Sequence, residues 1–306
     1  MKKVLVTGGD GFIGSHLVSH LLNLGVEVLV LDKSIHKPTF CDISAAHFIE
    51  GDLLSRGLVR ECLEEVDTCF HLAALVSLMD CARDWIFSHE NNVLAFNGLL
   101  EEIRQSKHPI NLVYTSSCAV YGDSTALPLK ESGLTIPHSN YAADKLSNEI
   151  YALAMSHLYG LHTIGLRLFN VYGPGQMDGS SYTGVITSFK NAIVAKEPMR
   201  IYGDGGQTRD FIYIEDVVAA FMAAAKLAST KSGIFNICSG KSTSITDLAE
   251  LMQDLSGIKV PVVYEDPRPG DVYHSLGDGF LAKKELDFSP QIEFRVGMAD
   301  FLSKTI

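Results

Sequence analysis

The first thirty-two residues constrain the fold more than any other stretch of the chain. Lys3 to Thr7 predicts a short buried strand, and a glycine-rich run follows it. The next segment carries apolar residues at helical spacing and ends at Gly25. A second predicted strand, Val26 to Leu31, is followed directly by Asp32. Strand, glycine turn, helix, strand and terminal acid together indicate a dinucleotide-binding unit.

The glycines of this turn fit two registers. Gly9, Gly11 and Gly14 match G-x-G-x-x-G, whereas Gly8 in place of Gly9 gives G-x-x-G-x-x-G. In either register, backbone N–H groups approach a pyrophosphate closely and the following helix points its positive end at it. Asp32 is placed to accept hydrogen bonds from ribose hydroxyls and would repel a 2′-phosphate, which predicts NAD rather than NADP. An ordinary glycine-rich turn is the alternative interpretation.

Bulk properties limit the class of protein. With 306 residues and 46% hydrophobic content, the chain can form one large α/β domain, or one such domain plus a smaller lobe. A net charge of −11 makes it a poor general binder of nucleic acid or anionic membrane. The sequence shows no signal peptide and no apolar run long enough to span a bilayer, so we expect a cytoplasmic protein without a membrane partner.

The six cysteines are scattered along the chain, and none forms a Cys-x-x-Cys pair. This spacing disfavours both a zinc site and a disulfide framework. We therefore expect buried, reduced thiols and no metal.

The strand–helix alternation continues after Asp32. A short strand, His47 to Glu50, is followed by an acid, Asp52, that is placed either to reach an adenine amino group or simply to cap a turn. Another strand, Asp67 to Leu72, is followed by Ala73 and Ala74, small residues that let a flat ligand lie close. Residues 88–106 predict a helix. Asn92 within it either bonds across to a neighbouring loop or is solvated, and the spacing favours the solvated position.

The next strand, Asn111 to Thr115, leads into Ser116-Ser117-Cys118 at the edge where open parallel sheets bind ligands. A polar loop, a helix over 141–159 and a strand from His162 to Leu168 follow. Repeated βαβ units predict a doubly wound parallel (Rossmann) sheet of the α/β class.

A change of composition over residues 173–181, rich in Gly, Pro and Ser, marks a boundary. We expect residues 1–172 to form the dinucleotide-binding domain and residues 173–306 mainly a smaller C-terminal α/β lobe that binds substrate. Residues 209–238 are expected to return to the sheet, because 209–214 and 234–238 both read as strands.

Tyr141 and Lys145 stand at positions i and i+4 of the helix over 141–159, so they share one helix face. A tyrosine titrates near 10. A nearby ammonium, together with the positive nicotinamide of NAD, would lower that pKa and produce a base for a sugar hydroxyl. Ser117, at a neighbouring strand end, is placed to bond the same oxygen. A Tyr-x-x-x-Lys pair alone is a common coincidence, but here it follows a dinucleotide motif.

Several stretches match one family. They are TGGDGFIGSHL (7–17), HLAA (71–74), TSSCAVYG (115–122), YAADK (141–145), RLFNVYGP (167–174), GDGGQTRDFIYIEDV (203–217) and RPGD (268–271). With them the chain resembles the extended branch of the short-chain dehydrogenase/reductase superfamily, among the NAD-dependent nucleotide-sugar epimerases and dehydratases. UDP-glucose 4-epimerases are the group that it resembles most.

The resemblance implies roles for individual residues. The catalytic trio corresponds to Ser117, Tyr141 and Lys145. Contacts to NAD are expected from Gly8, Gly11, Phe12, Ile13, Gly14, Asp32, Asp52, Leu53, Leu72, Ala73, Ala74, Thr115, Tyr141 and Lys145. Contacts to a UDP-sugar are expected from Ser117, Tyr141, Asn170, Arg209, Arg268, Asp271 and Ser275. A homodimer is also implied, formed through the outer faces of the helices over 88–106 and 141–159.

The implied substrate contacts divide by chemistry. Asn170 corresponds to a residue that holds phosphate or sugar, and Asp271 to a group near the nucleotide ribose. Arg209 and Arg268 correspond to two arginines on the diphosphate, which suits the planar fork of arginine. On sequence alone, Arg209 beside Asp210 is equally well explained as a surface ion pair.

The implied reaction is 4-epimerisation of a UDP-hexose through a transient 4-keto sugar. Dehydratases of the family carry two acids where this chain has Ser117-Cys118, and decarboxylases place a glutamate near this turn, so both are disfavoured. GDP-sugar epimerase/reductases carry Ser-Ser-Cys with a catalytic cysteine but prefer NADP; we interpret Cys118 as a small buried hydrophobe. UDP-glucuronate 4-epimerisation and a non-catalytic NAD sensor stay open as alternatives.

Ser275 falls where some family members carry a bulky tyrosine that excludes an N-acetyl group. A serine there predicts tolerance of UDP-N-acetylhexosamines, and a hydroxyl that caps a local turn explains it equally well. Loops near residues 75–80 and 176–183 are expected to choose the sugar, and they match no interpretable pattern.

Overall fold

The computed structural model describes residues 1–34, 40–176, 184–268 and 271–306, over which strands alternate with helices. The strands are β1 (Lys3–Thr7), β2 (Glu27–Asp32), β3 (His47–Glu50), β4 (Thr68–His71), β5 (Asn111–Ser117), β6 (Thr163–Leu168), β7 (Asn170–Tyr172), β8 (Met199–Tyr202), β9 (Thr208–Arg209), β10 (Phe211–Tyr213), β11 (Gly233–Ile237), β12 (Thr243–Ser244) and β13 (Val262–Glu265). The helices are α1 (Phe12–Asn23), α2 (Arg56–Leu63), α3 (Leu78–Arg83), α4 (Trp85–His89), α5 (Ala95–Gln105), α6 (Asn140–Tyr159), α7 (Val185–Ala195), α8 (Ile214–Ala228), α9 (Ile245–Ser256) and α10 (Phe294–Thr305).

Seven strands form one parallel sheet in the order β11-β6-β5-β4-β1-β2-β3. Its central strands are apolar on both faces, and Val4, Leu5 and Val6 of β1 are fully buried. The strand order reverses between β1 and β4, which is where ligands bind in open α/β sheets. The predicted doubly wound sheet is confirmed.

Helices cover both faces of this sheet. On one face, Phe221 of α8 packs edge-to-face against Phe70 of β4, with ring centroids 6.2 Å apart. On the other face, Phe96 of α5 lies 5.1 Å from Tyr114 of β5. Each face therefore has its own apolar cluster, and burial of these rings supplies much of the stability of the sheet.

A smaller C-terminal lobe has a separate apolar core. It combines α7, α9 and α10 with three two-stranded sheets, β7–β10, β9–β12 and β8–β13. The ring of Tyr172 lies at the centre of this core, 5.3 Å from that of Tyr213 and 5.4 Å from that of Phe294. The division of the chain at residue 172 stays a prediction.

The prediction that residues 209–214 form another strand of the main sheet is wrong. The segment divides into β9 and β10, which pair with β12 and β7 in separate two-stranded sheets. The division falls at Asp210, whose carbonyl accepts a hydrogen bond from the Asn170 amide at 3.0 Å and so directs β10 towards β7. Residues 233–237 do join the main sheet, beside β6.

The predicted helix over residues 88–106 starts earlier, at Trp85, and contains a π-helical turn over Glu90–Leu94. The turn is accommodated because the Asn148 amide donates to the Asn92 carbonyl at 2.9 Å. The solvated interpretation of Asn92 is wrong: its side chain is buried and bonds both the N–H and the carbonyl of Leu75, at 2.8 and 3.1 Å.

Within the described ranges, none of the helices combines the length and the apolar character that crossing a bilayer requires. The same ranges hold no group of His, Cys, Asp and Glu side chains arranged for a metal ion. All six cysteines are free thiols.

Candidate active site

A cavity of about 870 Å³ opens at the carboxyl ends of the strands, at the point where the strand order reverses. Its volume lies in the range usual for cofactor and ligand sites. The cavity is lined by every residue that the sequence predicts for the cofactor, namely Gly8, Gly11, Phe12, Ile13, Gly14, Asp32, Asp52, Leu53, Leu72, Ala73, Ala74, Thr115, Tyr141 and Lys145. The residues thus lie together; their individual contacts stay predictions.

At two positions of the glycine turn, Gly8 and Gly14, an added Cβ would clash with backbone atoms. Gly8 has φ +71°, and a Cβ there would lie 2.5 Å from the Ala73 nitrogen. A Cβ on Gly14 would lie 2.0 Å from the Gly8 carbonyl oxygen. Because the turn closes on itself through Gly8 and Gly14, the structure favours the G-x-x-G-x-x-G register. Helix α1 begins directly behind it, at Phe12.

Asp32 ties the end of β2 to the glycine turn. One carboxylate oxygen accepts a hydrogen bond from the Asp10 N–H at 3.1 Å, and the other accepts from the Lys33 N–H at 2.8 Å. Burial raises the pKa of Asp32 above its ordinary value, while these N–H donors oppose the rise. The carboxylate therefore borders the cavity at a fixed place, where the sequence predicts the adenosine ribose.

Lys33 was not predicted for this site, yet it contacts several residues at the end of the cavity where the sequence predicts the adenine. Its ammonium forms a 3.0 Å ion pair with Asp52, bonds Asn91, and lies 5.9 Å above the ring of Phe87. Asp52 also accepts a hydrogen bond from the Leu54 N–H at 2.9 Å. The one available signal for Lys33 was its position next to Asp32, because its partners come from distant parts of the chain.

The predicted catalytic trio meets at the other end of the cavity. Tyr141 and Lys145 lie on α6 and Ser117 ends β5, with the Ser117 hydroxyl within hydrogen-bonding reach of the Tyr141 phenol. The Lys145 ammonium lies 5.8 Å from the centroid of the Tyr141 ring. It donates to the Thr115 carbonyl at 3.0 Å and to the Thr115 hydroxyl at 3.1 Å, which pins α6 to β5.

The predicted lowering of the Tyr141 pKa includes the charge of bound NAD and stays a prediction; in the protein without NAD the shift has the opposite direction. Burial raises the pKa of Tyr141 above its usual value, and the hydrogen bond from Ser117 only partly opposes this rise. The ammonium has little direct effect because its hydrogen bonds go to Thr115. Burial also lowers the pKa of Lys145 to about 8. A phenolate at neutral pH thus needs a further positive charge, and the nicotinamide is the predicted one.

Cys118 lies beside the trio as a protonated thiol. Burial raises its pKa to about 12, and Ser275 lies within hydrogen-bonding reach of its sulfur. The thiolate needed for acid–base chemistry is therefore scarce at neutral pH. This supports the interpretation of Cys118 as a small apolar residue and brings Ser275 next to the site.

Of the predicted substrate residues, Ser117 and Tyr141 line the 870 Å³ cavity, whereas Asn170 on β7, Arg209 on β9, Asp271 and Ser275 are not among its lining residues. The Arg209 guanidinium forms a 2.7 Å ion pair with Asp271, and the alternative pairing with neighbouring Asp210 is not found among the described residues. The Asn170 amide donates to the Asp210 carbonyl at 3.0 Å. Ser275 is buried, and its N–H donates to the Thr208 carbonyl at 3.1 Å. Asn170, Arg209, Asp271 and Ser275 thus form one connected group.

Arg268 does not line the 870 Å³ cavity but contacts Tyr202, one of the residues that line a second, open cleft together with Tyr264, Glu265 and Asp266. Its guanidinium carbon lies 3.8 Å from the centroid of the Tyr202 ring, a stacked cation–π contact. Residues 269–270, which lie between Arg268 and Asp271 in the RPGD motif, fall outside the described residues. So do residues 177–183 of the loop expected to choose the sugar.

The sequence profile of the NAD dependent epimerase/dehydratase family matches residues 4–238 of the chain. The chain belongs to the NAD-dependent epimerase/dehydratase family. The UDP-glucose 4-epimerase of Mycolicibacterium smegmatis is 34% identical over 97% of this chain and 96% of its own length.

Solved structures extend the family likeness to three dimensions. The UDP-N-acetylglucosamine 4-epimerase of Methanobrevibacter ruminantium M1, solved with UDP-N-acetylmuramic acid, is 35% identical with a TM-score of 0.91 and covers 99% of this chain and 97% of its own. Another structure, a complex with UDP-glucuronic acid and NAD, is 35% identical with a TM-score of 0.90. The match covers 99% of this chain and 98% of the chain in that structure.

NAD is the cofactor of this epimerase/dehydratase family member, and the cavity fits it. A Cβ at Gly8 or at Gly14 would occupy the space beside the glycine turn. Without side chains there, the turn leaves room for a pyrophosphate to pack directly against its backbone. The Asp32 carboxylate stands at the end of β2, where a ribose that carries no 2′-phosphate binds in this fold.

His71, beneath the cavity, is expected to make the fold sensitive to acid. It is buried, its Nδ1 lies 2.9 Å from the Thr7 hydroxyl, and burial together with the Lys145 charge lowers its pKa to about 3. The unfolded chain takes up a proton on this histidine near pH 6.5 and the folded chain does not. The free energy of unfolding should therefore fall as the pH drops from about 6.5 towards 3.

The replacement His71→Asn should weaken this pH dependence, measured by urea unfolding at about pH 7.5 and about pH 5. His157→Asn, at an exposed histidine of α6, is the control and should keep the dependence of the unaltered protein. An equal loss of stability on acidification in His71→Asn and in the unaltered chain would contradict the assignment.

Proposed function

We propose that the chain catalyses NAD-dependent 4-epimerisation of a UDP-hexose through a transient 4-keto sugar. The observation that carries the proposal is the meeting of Ser117, Tyr141 and Lys145 at one end of the cavity whose other end holds the glycine turn and Asp32. The 4-epimerase activities of the relatives from M. smegmatis and M. ruminantium support it.

In this mechanism, Tyr141 takes the proton of the sugar 4-hydroxyl and holds it while the sugar is a ketone. Ser117 is placed to bond the same oxygen, because its hydroxyl reaches the Tyr141 phenol. Bound NAD supplies reversible transfer of hydride at C4. Because burial favours the neutral phenol and the Lys145 ammonium alone does not offset it, we propose that the positive charge of the bound cofactor brings Tyr141 into the range of a general base.

Inversion at C4 requires that the sugar ring turn over while the substrate stays bound. Arg209 and Arg268 are proposed to hold the diphosphate during this step, with Asn170 near the phosphate or sugar. In a chain of net charge −11, a dianionic substrate depends on such local cations. The ion pair with Asp271 orients the Arg209 fork before the substrate arrives.

Dehydration fits the site less well. Ser116-Ser117-Cys118 contains no carboxyl group. A buried acid, Glu149, does lie behind the run and accepts a hydrogen bond from the Ser116 hydroxyl at 2.5 Å. Its two oxygens are already held by Arg167, at 2.8 and 2.7 Å, so it does not offer a proton to a leaving hydroxide.

UDP-glucuronate 4-epimerisation is the second candidate. A relative in complex with UDP-glucuronic acid supports it. The two candidates share every step at C4 and differ in the group at C6.

The experiment starts from the purified protein. Denaturation should release NAD, and the folded protein should interconvert one of three pairs without added cofactor: UDP-glucose and UDP-galactose, their N-acetylhexosamine counterparts, or the two uronates. Conversion of the uronates alone would move the assignment to the second candidate. Released NAD without conversion of any pair would overturn the proposal in favour of a non-catalytic NAD sensor.

The width of the sugar site is proposed to depend on Ser275. It is buried near Cys118, and a tyrosine there would occupy the space beside the trio. Ser275→Tyr should reduce kcat/KM for the N-acetylated substrates by about tenfold or more while retaining activity on UDP-galactose. Ser275→Ala is the control and should retain both. An equal loss on the two substrate classes in Ser275→Tyr would contradict the proposed role.

A homodimer is proposed through the outer faces of α4, the π-helical turn and α6. These neighbouring segments expose Trp85, Ile86, Leu94, Ile150 and Tyr151, an apolar group that a second copy would cover. Ile150→Asp should convert the dimer into monomers, measured by sedimentation velocity. Val296→Asp, at an equally exposed position (63% against 59%) on α10, should leave the dimer intact. A monomeric unaltered protein would overturn the proposal.

A further inference from the structure

We propose that Asp210 is a positioning residue, which holds the segments bearing Asn170, Arg209 and Ser275 in one rigid arrangement around the substrate. The inference rests on the proposed function and goes beyond it, because Asp210 itself is not placed against the substrate. It concerns a carboxylate that stands directly beside Arg209, yet does not pair with it.

The Asp210 carboxylate joins two loops. It is fully buried between β9 and β10. One oxygen accepts hydrogen bonds from the N–H and the hydroxyl of Ser239, both at 2.7 Å. The other oxygen accepts from the N–H of Gly240 at 3.0 Å and from the N–H of Gly277 at 3.1 Å. The loop after β11 and the segment that carries Ser275 are thus fixed to the same side chain.

The backbone of the same residue holds a third segment. The Asp210 carbonyl accepts hydrogen bonds from both the backbone N–H and the side-chain amide of Asn170, each at 3.0 Å. On the N-terminal side, the Thr208 carbonyl accepts from Ser275 at 3.1 Å and from the Arg209 guanidinium at 2.9 Å. Asn170 is therefore bonded to Asp210 itself, and Arg209 and Ser275 are bonded to Thr208, two positions before it in the chain.

The residue type matters as well as its place. Burial of a carboxylate without a cation is costly, and no ion pair of Asp210 occurs among the described residues. Every partner of its oxygens is a donor, so the site requires four acceptor positions. An asparagine would present an NH₂ group towards two of these donors and break that side of the arrangement.

The Gly277 side of the arrangement has little freedom to relax. A Cβ on Gly277 would lie 2.6 Å from the Cys238 sulfur and 2.7 Å from the ring of Phe169. The segment 275–278 is therefore packed against its neighbours and held by Asp210 from the other side. Loss of the Asp210 bonds should change the place of Ser275 and of the Arg209 fork by small amounts, and small displacements reduce binding and turnover strongly.

Helix α8, which follows β10, provides a matched control, Asp216. It is also a buried acid (4% exposed) that accepts backbone N–H groups, from Gln291 at 2.8 Å and Ile292 at 3.1 Å. The segment that it holds leads into α10 and carries none of the predicted substrate residues. Asp216→Asn should therefore cost stability without a change in substrate binding.

The test compares Asp210→Asn and Asp216→Asn as holoproteins. We measure NAD content, thermal unfolding, KM and kcat for the preferred UDP-sugar, and the Kd of UDP by calorimetry. Asp210→Asn should raise both KM and the Kd of UDP by about tenfold or more with full NAD content. Asp216→Asn should match its thermal destabilisation and leave KM and Kd unchanged. Equal shifts of KM in the two variants, or no shift in either, would overturn the inference.

A milder variant covers the case in which Asp210→Asn does not fold. Ser239→Ala removes one of the four donors and should raise KM and the Kd of UDP in the same direction by a smaller factor; unchanged values would overturn the inference. Failure of the proposed function gives a different result, since the unaltered protein would then convert none of the UDP-sugars.

Discussion

Replacement of Tyr141 by Phe is expected to lower kcat by about a thousandfold or more, while the fold and the NAD content stay unchanged. The change removes one oxygen and keeps the ring that packs near the Lys145 ammonium. The replacement therefore removes the proposed base and leaves no large cavity in the protein. The measurement is kcat for the preferred UDP-sugar, with NAD released by denaturation and thermal unfolding recorded on the same sample.

Tyr159→Phe is the matched control for this prediction. It deletes the same hydroxyl from the same helix, at an exposed tyrosine near the end of α6. Its kcat should equal that of the unaltered protein. If Tyr141→Phe keeps more than about a tenth of the activity, Tyr141 is not the base and the mechanism needs another proton acceptor.

Replacement of Gly14 by Ala is expected to yield a protein without NAD and without activity. The added Cβ would lie 2.0 Å from the Gly8 carbonyl oxygen and 2.8 Å from the Gly9 Cα. These are backbone atoms, so the turn itself must open. Overpacking of this kind costs about 1–3 kcal/mol. The distorted turn would no longer present its N–H groups to a pyrophosphate. NAD content and the free energy of unfolding are the measurements.

Gly57→Ala serves as the control, because a Cβ on this exposed glycine of α2 meets nothing within 4 Å. Its stability should be equal to or slightly above that of the unaltered protein, since alanine favours a helix by up to about 1 kcal/mol. Full NAD content in Gly14→Ala would show that the turn is not the pyrophosphate site.

The main sheet could be predicted from the sequence because its signals are local. Continuous apolar runs mark β1 and β2, glycines mark the turns, and the bounds of α7 follow from its periodicity alone. The prediction for residues 209–214 failed because β10 has the composition of a strand, but its sequence does not show which strand it pairs with. That pairing, with β7, depends on contacts from distant segments. The π-helical turn was missed for the same reason: Asn148, which accommodates it, lies on another helix.

The candidate site divides in a similar way. The glycine turn, Asp32 and the Tyr141–Lys145 pair are short-range patterns, so their common cavity was foreseeable. The raised pKa of Tyr141 in the protein without NAD could not be foreseen. Burial is a property of the folded protein, and here its effect is larger than that of the neighbouring ammonium. The hydrogen bonds of the Asp210 carboxylate could not be predicted from the sequence either, because all of its side-chain partners lie at least 29 positions away along the chain.

The position of β11 has a consequence for synthesis on the ribosome. β6 is completed at Leu168, but its outer neighbour consists of residues 233–237, so the sheet edge has no covering strand until more than sixty further residues have been added. During that interval the nascent chain presents open backbone groups, a known hazard for aggregation. A fragment cut at residue 172 would keep this defect permanently, and the cofactor-binding half should therefore not be expected to survive as an independent unit.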